Sequence, residues 1–345
     1  MLENTSKTKG VLRSPFFVLT ACAVLLSLAV FLGFIWGKRQ ALKNATQLIS
    51  TIKPIRENNF NYKYINPLLA YDFSGVNSFF VNQTLDDKLH DFAAEQVQQG
   101  NATNIAVYVR NFTNNSWAGV SEDEQYHPGS ILKVLIMMAY FREAQLDPTV
   151  LQKNLVYSNE VSQYNNSIEF SQSSSLKIGQ PYSVVQLINS MIAESDNGAE
   201  TLLIENVDRN ILNSAYEDLS IPNPDNTTGD YTISARQYSA FLRILYNSTY
   251  LSENYSEQSL GIMAKSTFKD GLVAGLPTSV EVAHKYGERV SGANGNIIEL
   301  HDCGIVYAPT HPYSICVMTK GGDISKLSNV IKNASDLVYS TLLNK

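Results

Sequence analysis

Three short segments hold residue types that together can carry out acyl transfer. In Ser130-Ile131-Leu132-Lys133 a hydroxyl and an amine stand three residues apart. On a helix that spacing puts them on one face, about one turn apart. A serine hydroxyl becomes a useful nucleophile only when a base takes its proton. A lysine serves as that base when burial or a nearby cation lowers its pKa. The opening turn of a helix adds backbone N–H groups that have no intrahelical acceptor and can hold an oxyanion. Ser195-Asp196-Asn197 offers a second hydroxyl, able to relay a proton to a leaving group, and an amide able to hold a substrate amide. Lys285-Tyr286-Gly287 closes an apolar strand. Its lysine can bind a carboxylate or lower the pKa of Lys133, and Gly287 lets substrate backbone come close. Each segment alone also has a plain structural reading: a solvent-facing helical pair, a polar helix cap, and an exposed strand lysine beside a turn glycine.

The intervening sequence supplies the elements that would hold these groups. Leu85, Leu89, Phe92, Ala93 and Val97 recur at helical spacing between Leu85 and Gln99. Ile105 to Val109 reads as a buried strand, Asn114-Asn115 as a turn, and Ser116 to Val120 as the returning strand. Pro128 and Gly129 punctuate the start of a helix near Ser130 that runs without a breaker to Ala144. Further helices are expected at 183–205, 208–218 and 234–246, with a polar loop from Ile221 to Asp230 in which Asp230 caps the helix starting near Ile233. Strands follow at Val280–Lys285, Ile297–Ala308 and Pro312–Thr319, then a terminal helix at Ile324–Leu343. Neither strict strand–helix alternation nor a pure bundle fits this order. It predicts an α+β domain whose sheet is completed by strands from both ends.

Ahead of that domain, Phe16 to Trp36 is an uncharged apolar run long enough to span a bilayer. Lys7, Lys9 and Arg13 precede it and Lys38, Arg39 and Lys43 follow, so flanking charge does not fix the orientation. A cleaved signal is the rival reading, and Leu19-Thr20-Ala21-Cys22 resembles a lipoprotein signal, but the apolar stretch continues well past Cys22. The expected layout is a cytoplasmic tail at 1–15, a single transmembrane anchor at 16–36, a stalk at 37–84 and a catalytic domain at 85–345 on the extracytoplasmic side of the cell membrane.

Composition narrows the function classes. The 345 residues carry a formal net charge of -6, which argues against a nucleic-acid partner. Only three cysteines occur, Cys22, Cys303 and Cys316, too few for a disulfide-dense scaffold and wrongly spaced for zinc. Cys303 and Cys316 flank a hairpin around Pro309–Pro312, where they either bond across it or remain reduced. His284 and His301 fall in β segments and read as packing histidines. No His and carboxylate set has ligand spacing, so neither metal nor other cofactor is expected.

The order, separation and setting of the three segments resemble the penicillin-binding and serine β-lactamase superfamily, and its class A branch in particular. Tyr126 to Lys133, Ser195-Asp196-Asn197-Gly198-Ala199 with Leu202-Leu203, Asp230-Tyr231-Thr232, His284 to Gly287 and Leu300 to Tyr307 carry the likeness, which runs from about Leu85 to the C-terminus. It implies a β-lactamase/transpeptidase-like fold: an antiparallel sheet with flanking helices and an all-helical subdomain. It also implies that Ser130 forms an acyl-enzyme, Lys133 takes its proton and Ser195 passes a proton to the leaving nitrogen. Asn197 would hold the substrate amide and contact Lys133, and Lys285 would support the substrate carboxylate. Tyr286 and Gly287 would line the same strand, and the backbone amides of Ser130 and Glu288 would form the oxyanion hole.

Two departures matter. Tyr286 stands where the family's Lys-Thr-Gly motif has threonine, so the small hydroxyl that touches the carboxylate is lost or replaced by the phenol. The Glu-x-x-Leu-Asn segment that activates the deacylating water is missing. Glu217 lies at a tempting distance before Asp230 but reads better as a helix end, with Leu212, Tyr216 and Leu219 on the apolar face. Three readings follow: a β-lactamase, a D-alanyl-D-alanine peptidase or transpeptidase acting on peptidoglycan stem peptides, and a non-hydrolysing penicillin-binding sensor. The expected partner is a β-lactam or a stem peptide, and the chain is expected to act as a monomer.

Overall fold

The computed structural model describes residues 29, 31–37, 53–57, 62–72, 80–163, 174–224, 230–292 and 295–343. The apolar run at 16–36 lies largely outside them, and among the described residues no helix is long and apolar enough to cross a membrane. Residues Ile52–Asp72 and Phe79–Lys345 form one compact unit, which holds all three segments.

A hairpin of β1 (Lys53–Arg56) and β2 (Leu68–Asp72) comes first. Helix α1 (Gln83–Gln98) follows, its start capped by the Asn82 side chain, and leads to β3 (Asn104–Asn111) and β4 (Trp117–Val120). The helical half contains α2 (Lys133–Leu146), α3 (Val184–Asn189), α4 (Asn197–Asn206), α5 (Arg209–Asp218), α6 (Ala235–Tyr246) and α7 (Glu253–Met263). The chain then returns as β5 (Val282–Ser291), β6 (Ile297–Val306) and β7 (Tyr313–Gly321), and ends in α8 (Ile324–Leu343). The strands make one antiparallel five-stranded sheet in the order β4-β3-β7-β6-β5. The early pair and the late hairpins thus share one sheet, as the strand order predicts for an α+β domain.

Both faces of the sheet are covered, so β3, β6 and β7 are buried almost throughout rather than alternately. One apolar core joins a sheet face to the helical half through Ile131, Phe141, Leu187, Phe241 and Cys303. The other joins the opposite face to α1 and α8 through Leu89, Val107, Leu300, Val317 and Ile331. Cys303 and Cys316 sit opposite one another on β6 and β7 and are disulfide-bonded, which resolves the alternative left by the sequence.

Several expected elements differ in detail. The helix anticipated over 183–205 is broken. Ser183 opens α3 with a capping box, Ser190–Glu194 loosens into a π turn, Ser195 is left-handed, and Asp196 caps a fresh helix, α4. Ser, Asp and Asn favour caps over helix interiors, and here that preference defeats the apolar period. Asp230 does not cap the next helix; Ser234 does, in a capping box with Gln237, while Asp230 pairs with His127 at 3.4 Å. Helix α7 was not anticipated. Within the segment expected to be a stalk, β1 and β2 pair and Ile65 enters the main core.

Candidate active site

Ser130 stands at the mouth of the most buried helix. Gly129 has φ +53°, and a Cβ there would come within 2.7 Å of the Glu288 carbonyl oxygen, so the position requires glycine. The chain then makes a short 3-10 turn, Gly129–Leu132, before α2 begins at Lys133; the expected α-helix therefore starts one turn late. The Lys133 N–H donates to the Ser130 carbonyl. In a 3-10 turn, side chains three apart are eclipsed, so Ser130 and Lys133 share one edge. Every residue from Lys133 to Phe141 is buried, which explains how a lysine comes to be fully enclosed.

The Lys133 ammonium is held by oxygens from α4 and the residues before it. Its Nζ donates to the Ser195 carbonyl at 2.7 Å and to Asn197 Oδ1 at 2.5 Å, and lies 3.5 Å from Ser195 Oγ. Burial lowers its pKa from the ordinary value, and Glu200 and Asp196 pull the other way. A lysine held this way is poised to be a base rather than a permanent cation.

Ser195 occupies the left-handed region at φ +61°, a costly place for a residue with a Cβ. Its neighbours fix it there. Glu194 Oε2 accepts from Ser190 Oγ and from Ser175, and Asp196 accepts from the Ala199 N–H at 2.7 Å and from Tyr157 Oη at 3.1 Å. The strained turn aims Ser195 Oγ at a second cation: Lys285 Nζ lies 2.8 Å away. Lys285 is fully buried, and burial followed by the nearby Lys133 charge sets its pKa well below the usual lysine value. Ser195 therefore sits between two lysines, in the position a proton relay needs.

Strand β5 is an edge strand of the sheet, and its residues divide by role. Gly287 packs tightly against the turn that bears Ser130. A Cβ there would meet the Pro128 carbonyl oxygen at 2.6 Å and the Ser130 nitrogen at 3.0 Å. Reciprocally, a Cβ on Gly129 would stand 3.0 Å from the Glu288 nitrogen. Two glycines thus bring the amides of Ser130 and Glu288 together, as an oxyanion hole requires. The Tyr286 ring is buried and stacks on Phe268 at 4.3 Å, with Lys285 Nζ 4.4 Å from its centre. Burial chiefly pushes its phenol up to about 12, and the Ser195 side chain pulls the other way. The ring is thus packed inside the cluster, between Phe268 and Lys285.

The segment ahead of Ser130 is pinned by an unpredicted set. His127 Nδ1 and N–H both reach Glu299 Oε2, at 3.1 and 3.0 Å. His301 Nε2 donates to the His127 carbonyl at 2.9 Å, while its Nδ1 accepts from the Thr319 N–H. That pattern needs a neutral ring, and burial lowers the His301 pKa to about 4. His301 thus anchors the loop to the nucleophile, a role beyond packing.

Sequence reasoning also missed Glu200. Its Oε2 lies 3.4 Å from Lys133 Nζ, and its side chain is 29% exposed. The signal was present: Glu200 follows Asn197 by three, hence shares its helix face. Glu217 is exposed at the C-terminal end of α5. Among the described residues the carboxylates acting on Lys133 are Glu200 and Asp196, and Glu217 is not one of them. Residues 225–229, including Asp225, lie outside the described residues.

A model of the β-lactamase enzyme family matches residues 84–342. Among curated protein sequences none matches the chain. The structure is similar to PBP-A, with 22% identity, TM-score 0.63, and coverage of 78% of this chain and 99% of that one. A mutant of PBP-A, solved as an acyl-enzyme complex with penicillin G, aligns at 21% identity and TM-score 0.63 over 76% of this chain and 98% of its own. A class A β-lactamase from Mycobacterium abscessus aligns at 19% identity and TM-score 0.62, over 75% of this chain and 99% of its own.

Proposed function

The chain belongs to the β-lactamase enzyme family, and from that premise we propose that it is a membrane-anchored hydrolase that opens β-lactams, or related amides, through an acyl-enzyme on Ser130. One observation carries the reading: two buried lysines, Lys133 and Lys285, converge on the hydroxyl of Ser195 at 3.5 and 2.8 Å beside the turn that bears Ser130. Burial and mutual proximity hold both amines below the usual lysine pKa at the expense of stability, which a purely structural site has no reason to sustain.

In this reading neutral Lys133 takes the Ser130 proton as Oγ attacks the amide carbonyl. The amides of Ser130 and Glu288 receive the oxyanion. As the C–N bond breaks, Ser195 Oγ gives a proton to the departing nitrogen and regains one from Lys133. Asn197 orients the Lys133 ammonium and the substrate amide, and Lys285 holds Ser195 and faces the substrate carboxylate. Tyr286 keeps Lys285 and Ser195 in register from inside the cluster, so carboxylate binding falls to Lys285 alone.

The alternative substrate is a D-alanyl-D-alanine stem peptide. The missing Glu-x-x-Leu-Asn segment favours it, because that chemistry needs no dedicated glutamate at the family's usual place. Phe16 to Trp36 would anchor the chain, and the bonded Cys303 and Cys316 support an oxidising, extracytoplasmic setting. Two assays test the proposal on the full-length chain in detergent: turnover of a chromogenic β-lactam, and D-alanine release from a stem peptide. At least one is expected in the wild type and neither in Ser130→Ala. Turnover at the wild-type rate in Ser130→Ala would remove the serine from the chemistry. Retention of the chain in membranes after alkaline carbonate washing is the expected sign of the anchor; release into the wash refutes it.

A further inference from the structure

Hydrolysis of an acyl-enzyme needs a group that activates water, and this chain lacks the family's usual segment for it. Of the acids near the site, Asp302 accepts from the Leu272 N–H and pairs with His284, and Glu288 is buried on β5 beside Lys285. Glu194 is committed to Ser175 and Ser190, and Asp196 to the Ala199 N–H and Tyr157. Asp230 pairs with His127, and Glu299 with His127 and Lys320. Asp218 is engaged beside Tyr250, with Glu217 at its side.

Glu200 is different. It extends from the helix that also presents Asn197, and its carboxylate lies between a fully enclosed ammonium and solvent. Among the described residues it is the one acid paired with Lys133. Lys133 in turn shares an edge with Ser130. A water entering beside Glu200 would therefore stand next to the acyl group that Ser130 carries.

We propose that Glu200 is the water-activating carboxylate of this enzyme, supplied by α4 in place of the missing loop segment. The inference rests on the acyl-enzyme reading above. In the step, the water oxygen bonds to the acyl carbonyl carbon while one water proton passes to the Glu200 carboxylate. The tetrahedral intermediate then expels Ser130 Oγ, which recovers that proton through Lys133. The products are a free carboxylic acid and the regenerated serine hydroxyl; no oxidant, reductant or metal takes part. Nothing in acylation requires Glu200. Its charge favours the ammonium form of Lys133, so removing it leaves more of Lys133 neutral and able to accept the Ser130 proton.

The test separates the two half-reactions. Full-length wild type, Glu200→Gln and Glu200→Asp are each mixed with a penicillin. Formation and loss of the protein adduct are followed by intact mass after acid quench. The expected result for Glu200→Gln is adduct formation within about a factor of ten of wild type and adduct loss slowed about 10²–10⁴-fold. Glu200→Asp, which keeps the carboxylate, recovers part of the loss rate. Equal adduct lifetimes in wild type and Glu200→Gln overturn the proposal while leaving Ser130 in place. Slowed formation with unchanged loss also overturns it, and makes Glu200 a positioning partner of Lys133. An absence of any adduct in wild type removes the acyl-enzyme reading itself, and this step with it.

Discussion

Two charged regions of this molecule are built in opposite ways. At the active site, Lys133 and Lys285 are fully buried and close to each other, and of the carboxylates around them Glu200 alone forms an ion pair with Lys133 among the described residues. At the hairpin end, Glu257 accepts the backbone N–H groups of Lys63, Tyr64 and Ile65 at 2.8, 2.8 and 3.0 Å. There Tyr62 Oη donates to Glu253 at 2.6 Å, and Lys63 pairs with Glu281 at 2.7 Å near the surface. The first arrangement opposes stability and sets pKa values; the second fastens a segment to the domain and asks little of desolvation. Two buried lysines side by side mark function, whereas a satisfied surface network marks attachment.

Substitutions in the buried cluster should therefore trade activity against stability. Lys133→Met is expected to slow penicillin acylation by about 10²–10⁴-fold without lowering the melting temperature, since an apolar side chain of similar volume replaces an enclosed charge. A fall in both would mean that the cluster is held together by its charges. Gly287→Ala is the next largest effect. Its Cβ would displace the Ser130 turn, and acylation should fall about 10²–10³-fold through the oxyanion hole. An unchanged rate would show that the two amides do not act together.

Glu257→Ala inverts the pattern. Three backbone amides lose their acceptor, so unfolding in denaturant should come about 1–3 kcal/mol earlier with acylation kinetics preserved. A changed acylation rate would join the two regions that the comparison separates. The smallest effect is a matter of pH. Lysines with depressed native pKa values bind fewer protons folded than unfolded, so stability rises with pH from the native value up to about 10.5. Lys285→Met should be more stable than wild type at neutral pH, and the gap should narrow as pH rises. A constant gap would place Lys285 in its charged form.

The active site was more legible in the sequence than the attachment. Ser130, Lys133, Ser195, Asn197 and Lys285 lie in three short motifs, each open to a plain structural reading alone, whose order and separation together carry the family resemblance that points to them. The docking of Tyr62 to Ile65 depends on Glu253 and Glu257, nearly two hundred residues away, and no local pattern announces such a pair. Glu200 was readable at helical spacing from Asn197 but meant nothing until Lys133 was seen beside it. Tyr286 shows the reverse limit: the substitution is plain in the sequence, yet only the structure reveals the ring packed on Phe268 beside Lys285.

The central claim is that Ser130 carries the acyl group. Full-length protein treated with a penicillin, quenched in acid and digested can be mapped by mass spectrometry. A single adduct on the peptide containing Ser130, absent from Ser130→Ala, is the predicted result. An adduct on any other residue, or one that survives Ser130→Ala, would contradict it.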